Sequence, residues 1–481
     1  MVMIMKIPNS KKWNPFLYLF KSSPISRIIL LFLYVLLLTF TAIFGVYLIT
    51  YFLFIFVFLL IASNMEGFGI IKKLETLPRW QNMALIFAFA LILRGVILLQ
   101  TQVITPDLDR FVARSQNMLD GQLPYRDFYG GNKPPLYEFM LYLVGFLFGP
   151  GAVQFRAVFS GFDAAIPVLI FLICIDRYNT RFALISSLTY AIFPISIICM
   201  GLSGHYDSVV VSFSLLSILL LLQNRFNSSA LSLGVAFALK IYPIVLVPFF
   251  ISTIKTWRAR ILYILLFSIP TLVVDGMLYL LSPSAFFGYL TEESGWMGVT
   301  SIPITIEMIF NATEIFGIKI SWVVLGIFGL LILWLIKDWY SPKRDENLIK
   351  WFKIIILLFV IHYGFYILFG LLYYDVSLNL ALIVVLIFFS LMFLVLPRYL
   401  FKIVPKSLVE PKSEGLFVVS TFAIMLFLFG LPSYAPWYFI WFFPFLLVIK
   451  TDKIRYSLLW IFPWHGIGEN MSLLPGTPKV N

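Results

Sequence analysis

The run Ile28-Ile29-Leu30-Leu31-Phe32-Leu33-Tyr34-Val35-Leu36-Leu37-Leu38 opens a stretch that stays apolar, without one charged side chain, to residue 63. A bilayer core takes about 20 apolar residues per helix, so this stretch is too long for one ordinary span. It is also too long for the core of a cleavable signal peptide, and it reads as a retained membrane anchor. Its flanks decide its shape. Lys21 and Arg27 precede it and Lys72, Lys73 and Arg79 follow it, and a helical hairpin turning near Gly45 puts both basic flanks on the cytoplasmic side.

The rest of the chain repeats the pattern. Of 481 residues, 61% are hydrophobic and 12% charged, where a soluble domain is nearer roughly half apolar. Apolar runs recur from residue 28 to residue 464 and leave no room for a separate soluble domain. The net charge of +12 sits in short clusters between these runs, which fits membrane orientation and argues against a nucleic-acid surface. The two cysteines, Cys174 and Cys199, both lie within apolar runs. They read as packing residues, not as a disulfide or a zinc site.

Following the charges gives the topology. Residues 82–101 cross outward, 134–148 lie as a juxtamembrane helix along the outer surface, and 153–175 cross inward. Spans at 182–200 and 206–223 go out and back. The segment 228–254 is interrupted by Lys240 and Pro243, which predicts two half-length helices whose freed backbone faces protein or a cavity. Spans at 258–282, 320–336, 353–371, 380–397, 416–432 and 438–450 complete the chain.

The expected fold is therefore an all-α polytopic membrane protein with about 11 to 13 transmembrane helices. Three regions result: a segment and hairpin at 1–81, a core at 82–282 with a large outer loop at 101–152, and a C-terminal region at 283–481 with an outer loop at 283–317. No internal repeat suggests inverted transporter halves.

The outer side gathers acids, among them Asp107, Asp109, Asp127, Glu138, Asp207, Glu292, Glu293 and Asp375. It also holds cations that break the charge rule: Arg110, Arg114, Arg126, Lys133 and Arg156, with Lys240 at the half-helix junction. A lipid-linked phosphate at the outer leaflet would explain them, because guanidinium and ammonium groups pair strongly with phosphate oxygens. A carboxylate beside such a phosphate can serve as general base toward an incoming hydroxyl. Cations beside it can stabilise the charge on a departing phosphate.

Other readings stand beside these. Asp107 and Asp109 also suit a helix cap, and Arg110 and Arg114, on one helical face, also suit lipid headgroups. Arg156 and Asp163 share a helix face and can form a structural ion pair or a functional site. His205 suits a hydrogen-bonding role better than metal ligation, since no second histidine lies near it. Lys240, costly in an apolar segment unless paired, can pair with phosphate or with Asp207. Asp275 reads as structural. Tyr434, Trp437 and Tyr438 suit either an interfacial belt or sugar stacking.

Several separated motifs carry a resemblance. Asp107-Leu108-Asp109-Arg110-Phe111 is followed by Gly121-Gln122-Leu123-Pro124-Tyr125 and Pro134-Pro135-Leu136. Gly204-His205-Tyr206-Asp207-Ser208, Leu239-Lys240-Ile241-Tyr242-Pro243-Ile244 and Ser433-Tyr434-Ala435-Pro436-Trp437-Tyr438-Phe439 come later. In order and spacing this series resembles the GT-C superfamily of membrane glycosyltransferases, most closely the catalytic subunits of GPI mannosyltransferase I and the prokaryotic polyprenyl-phosphomannose-dependent mannosyltransferases. The likeness is continuous over residues 101–250 and patchier beyond.

The resemblance implies an outward-facing cavity and inverting transfer of mannose from a β-linked polyprenyl-phosphate donor to a lipid or glycan acceptor. Counted back from Gly121, Asp107 takes the position of the acid that looks catalytic in the family, with Asp109 supporting it. It further implies Arg126, Lys133, Arg156 and Lys240 on the donor phosphate. Tyr125, His205, Asp207, Tyr242, Tyr434 and Trp437 would lie on the substrates. No nucleotide or other cofactor is expected, and a divalent metal held by the aspartate pair is left open. Two rivals remain: a GT-C enzyme using glucose or arabinose, and a polyprenyl-lipid flippase. A flippase would spread its charges along a path reaching both faces, whereas these gather on one.

Overall fold

The computed structural model describes residues 24–44, 48–98, 105–130, 133–291, 314–315, 317–373, 412–431 and 438–450. The span expected at 380–397, the acids Glu292, Glu293 and Asp375, and the aromatics Tyr434 and Trp437 lie outside the described residues.

The chain is an all-α multi-pass membrane protein. Among the described residues five helices are long and apolar enough to cross a bilayer, or up to seven when two bent pairs each count as one span. The N-terminal hairpin is present as α1 (Pro24–Phe44) packed on α2 (Leu48–Asn64). A bend of 54° turns the chain into the short α3 (Gly69–Glu75), and α4 (Arg79–Leu98) follows. Asn82 ties the two together by donating from Nδ2 to the carbonyls of Leu74 (3.0 Å) and Leu77 (3.3 Å).

Local chemistry starts the next helices. Thr105 caps α5 (Pro106–Leu119), accepting from the Leu108 N–H, with Pro106 in the first turn where no N–H is needed. Pro134-Pro135 starts α6 (Pro135–Phe148), which packs on α5 and covers the segment expected to be helical at 134–148. The α7 helix (Ala152–Ile175) is the central strut, touching α4, α8 (Thr180–Ala191) and α10 (Asp207–Leu222).

The span expected at 182–200 is not continuous. It breaks between α8 and α9 (Pro194–Gly201) with a bend of 47°. Pro194 cannot donate to the preceding turn, and side chains from distant helices satisfy the carbonyls exposed at the break. Arg94 Nη1 donates to the Ala191 carbonyl at 2.7 Å and Tyr34 Oη to that of Ile192 at 2.7 Å. Irregular backbone at membrane depth survives because it is buried in protein.

The second break matches expectation. The α11 helix (Phe226–Leu239) ends at Lys240, which is extended at φ −160° and ψ 140°. A 3₁₀ turn (Tyr242–Leu246) and α12 (Val247–Thr253) then complete the segment. Small residues let these helices approach. A Cβ on Gly234 would sit 2.2 Å from the Phe267 carbonyl of α13 (Trp257–Leu281), and Ser217 Oγ donates to the Ser229 carbonyl at 2.8 Å. After α14 (Pro283–Thr291) a two-residue hairpin, β1 (Glu314–Ile315) with β2 (Ile318–Lys319), leads to α15 (Ile320–Trp339) and α16 (Arg344–Tyr373). The α17 (Lys412–Gly430) and α18 (Phe439–Val448) helices then pack together, and α18 reaches α7, α8 and α10.

Candidate functional site

One end of this bundle collects the chemistry. The α5 N-terminus brings Asp107, the turn before α10 brings His205, and the α10 N-terminus brings Asp207. The break after α11 brings Lys240, and the segment entering α6 brings Lys133. Gly204 makes the turn feasible. Its φ of +62° is open to glycine, and a Cβ there would lie 3.1 Å from Leu108 Cδ1 and 3.3 Å from Arg156 Cγ.

Asp107 is about one-third exposed, with Arg110 Nη1 at 3.3 Å and His205 Nε2 at 3.9 Å. Asp109 is exposed, since residues two apart on a helix point about 200° apart. The aspartates therefore do not converge. Among the described residues no three His, Cys, Asp or Glu side chains are placed to hold a metal ion together.

Lys240 is the centre of a tight cluster. Its ammonium donates to Asp207 Oδ1 at 2.6 Å and lies 4.5 to 5.1 Å from the ring centroids of Trp441, Tyr438 and Tyr206. Cation–π attraction adds to the ion pair there. The Trp441 indole N–H donates to the same Asp207 oxygen, and Tyr242 stacks flat on Trp441 with centroids 4.1 Å apart. The other Asp207 oxygen and the Tyr206 hydroxyl are buried and have no hydrogen-bond partner among the described residues. A buried carboxylate oxygen without a donor is costly, and a ligand hydroxyl would satisfy it.

Lys133 feels Asp207, Asp107 and Glu138, yet burial, the largest effect, holds its ammonium below the usual lysine range. Tyr125, at φ 65°, donates its hydroxyl to the Lys133 carbonyl at 2.6 Å and packs on Tyr289. It therefore orders the loop carrying Lys133.

Burial pulls the His205 imidazole down to about 4, against Asp107 and Asp207, which pull it up. It is neutral near pH 7. An unfolded histidine titrates near about 6.5, so between about 6.5 and about 4 the unfolded chain binds a proton that the folded chain refuses. Stability falls as pH drops through that window. Thermal unfolding in detergent from about pH 7 to about pH 4 should show this slope, and His205→Gln should flatten it.

Other expected residues are held by contacts of their own. Arg126 pairs with its neighbour Asp127 at 2.6 Å, 42% exposed, and holds that carboxyl down at about 2. Arg126→Ala should leave the melting temperature in detergent unchanged. A clear fall in that temperature would give the pair a structural role. Arg114 pairs with the buried Glu138 at 2.5 Å and donates to the Gly130 carbonyl. Arg156 is buried in α7 beside the Gly204 turn, but Asp163 is not its partner.

Asp163 instead pairs with Arg94 Nε at 2.6 Å, and both side chains are fully buried. Tyr190 and Ser196 complete this network by donating to Asp163. Sequence reading missed Arg94 and Trp441. Arg94 could have been found, because an arginine inside an apolar span is as costly as Lys240. Trp441 carried no local signal.

No protein-family model, no curated protein and no solved structure matches the chain.

Proposed function

We propose that the chain is a GT-C type membrane glycosyltransferase. It moves a mannosyl residue from a polyprenyl-phosphate-mannose donor to an extracytoplasmic lipid or glycan acceptor, with inversion. One observation carries the reading. A partly exposed carboxylate, Asp107, lies beside a neutral histidine and within the electrostatic reach of two ammonium groups, Lys133 and Lys240. The motif series around these residues supplies the family likeness.

In this reading the acceptor hydroxyl oxygen attacks the anomeric carbon from the face opposite the phosphate. The bond between that carbon and the phosphate oxygen breaks, and the hydroxyl proton passes to Asp107. Polyprenyl phosphate leaves with the bonding electrons, its charge met by Lys133 and Lys240. The open Asp207 oxygen and the Tyr206 hydroxyl bond sugar hydroxyls. Asp109 remains outside this scheme because it faces away.

Purified protein given radiolabelled polyprenyl-phosphomannose and candidate acceptors should release polyprenyl phosphate in step with labelled product. If mannose, glucose and arabinose donors all fail while labelled lipid crosses liposomes, the flippase reading replaces this one. Sidedness has its own test. Tyr129 is 57% exposed, whereas a Cβ on Gly130 would meet the Tyr125 ring at 2.2 Å. Tyr129→Cys should therefore react with an impermeant thiol reagent added outside. Cys174 and Cys199 are buried and give little background.

A further inference from the structure

Tyr125 holds a backbone conformation that its residue type disfavours. Its φ of 65° lies in the left-handed region, where a bulky side chain is sterically costly and persists only when its surroundings fix it. Three sets of contacts fix it here. The Tyr125 N–H donates to the Phe128 carbonyl at 3.0 Å and closes the turn. Gly130 cradles the ring, since a Cβ there would lie 2.2 Å from Tyr125 Cε1, and Arg114 holds Gly130 by its carbonyl. The third set comes from α14, far along the chain. The Gly288 backbone sits against the Tyr125 carbonyl, which a Cβ would meet at 2.4 Å. The Tyr289 ring packs on the Tyr125 ring with centroids 5.3 Å apart, and Leu278 and Ala285 complete a buried cluster around it.

So enclosed, Tyr125 is only 7% exposed, and its hydroxyl donates to the Lys133 carbonyl at 2.6 Å. Lys133 is a cation that this arrangement leaves for a ligand. It lies within the electrostatic reach of Asp207 and Asp107, yet among the described residues no carboxylate forms an ion pair with its ammonium. The carbonyl that Tyr125 holds belongs to the residue that carries that ammonium, so the bond fixes the point from which the side chain extends.

We propose that Tyr125 is a positioning residue for Lys133, backed by Gly288 and Tyr289, so that α14 sets where the ammonium meets a lipid-linked phosphate. This rests on the donor reading given above. Full-length protein in detergent is titrated with radiolabelled polyprenyl phosphate and, as the uncharged control, polyprenol of the same length. The wild type should bind the phosphate at least about tenfold more tightly than the alcohol. Tyr125→Phe removes one oxygen and keeps the packed ring. It should weaken binding of the phosphate about tenfold and leave that of polyprenol unchanged, a selectivity that general loosening of the fold would not produce. Gly288→Ala, whose Cβ displaces the Tyr125 carbonyl, should do the same. In a Lys133→Met background Tyr125→Phe should have no further effect, because residues acting through one another are not additive. A wild type that binds both lipids equally sinks the donor reading and this proposal with it. A wild-type preference that either single variant leaves intact, or a Tyr125→Phe effect that persists without Lys133, overturns the positioning role alone.

Discussion

If Asp107 is the general base of the proposed mannosyl transfer, Asp107→Asn should lower turnover by about 10² to 10⁴-fold, the range expected for such a base, and leave donor affinity within about twofold. Asparagine keeps the shape and the hydrogen-bonding reach of the side chain but cannot take the acceptor proton. Asp107 is about one-third exposed, with Arg110 and His205 as its close partners, so the exchange should cost under about 1 kcal/mol of stability. The contrast lies with Asp109. Exposed and turned away, it should tolerate Asn with less than about threefold loss. Steady-state rates for the pair of variants, with melting temperatures as a folding check, decide the matter. If Asp107→Asn turns over at more than one-tenth of the wild-type rate while Asp109→Asn does not, the base has been assigned to the wrong carboxylate.

The fold was legible wherever a local rule sufficed. The hairpin at residues 28–63 follows from bilayer thickness and two basic flanks, and α1 and α2 match it. The break at Lys240 follows from a lysine and a proline three residues apart in an apolar run, and α11 ends there. The break at Pro194 has only the proline as a local cue and reads in sequence as a continuous span, and its stability depends on partners 97 and 158 residues away, Arg94 and Tyr34. No window of sequence contains them. The site divides the same way. The Lys240–Asp207 pairing was foreseen as one option, whereas Trp441 reaches Asp207 across 234 residues of chain. Arg126 looked like a phosphate ligand because it is a cation expected on the outer side, but its adjacent Asp127 occupies it. Position along the chain gave an expectation of which face a charge lies on, and only packing showed whether it was already neutralised.

The second large effect tests that packing. Asp163→Leu should cost about 3 to 5 kcal/mol, the penalty for stripping the partner from a buried ion. Both members of the Arg94–Asp163 pair are fully buried, and Arg94 also donates to the carbonyls of Ala90 and Ala191 and to Ser196. Removing the carboxylate leaves a fully buried guanidinium without its counter-charge. Arg94→Met should be nearly as damaging for a different reason. It strands Asp163 and also uncovers the Ala191 carbonyl at the α8/α9 break, loosening the turn that leads to His205 and Asp207. The double variant should recover most of the Asp163→Leu loss, because no uncompensated charge remains, but not the part due to that carbonyl. Unfolding in detergent across the four proteins of the cycle measures this. A coupling energy above about 2 kcal/mol is expected for a contacting buried pair. Coupling below about 0.5 kcal/mol, with single variants near the wild type, would mean that the pair is not what holds the bend.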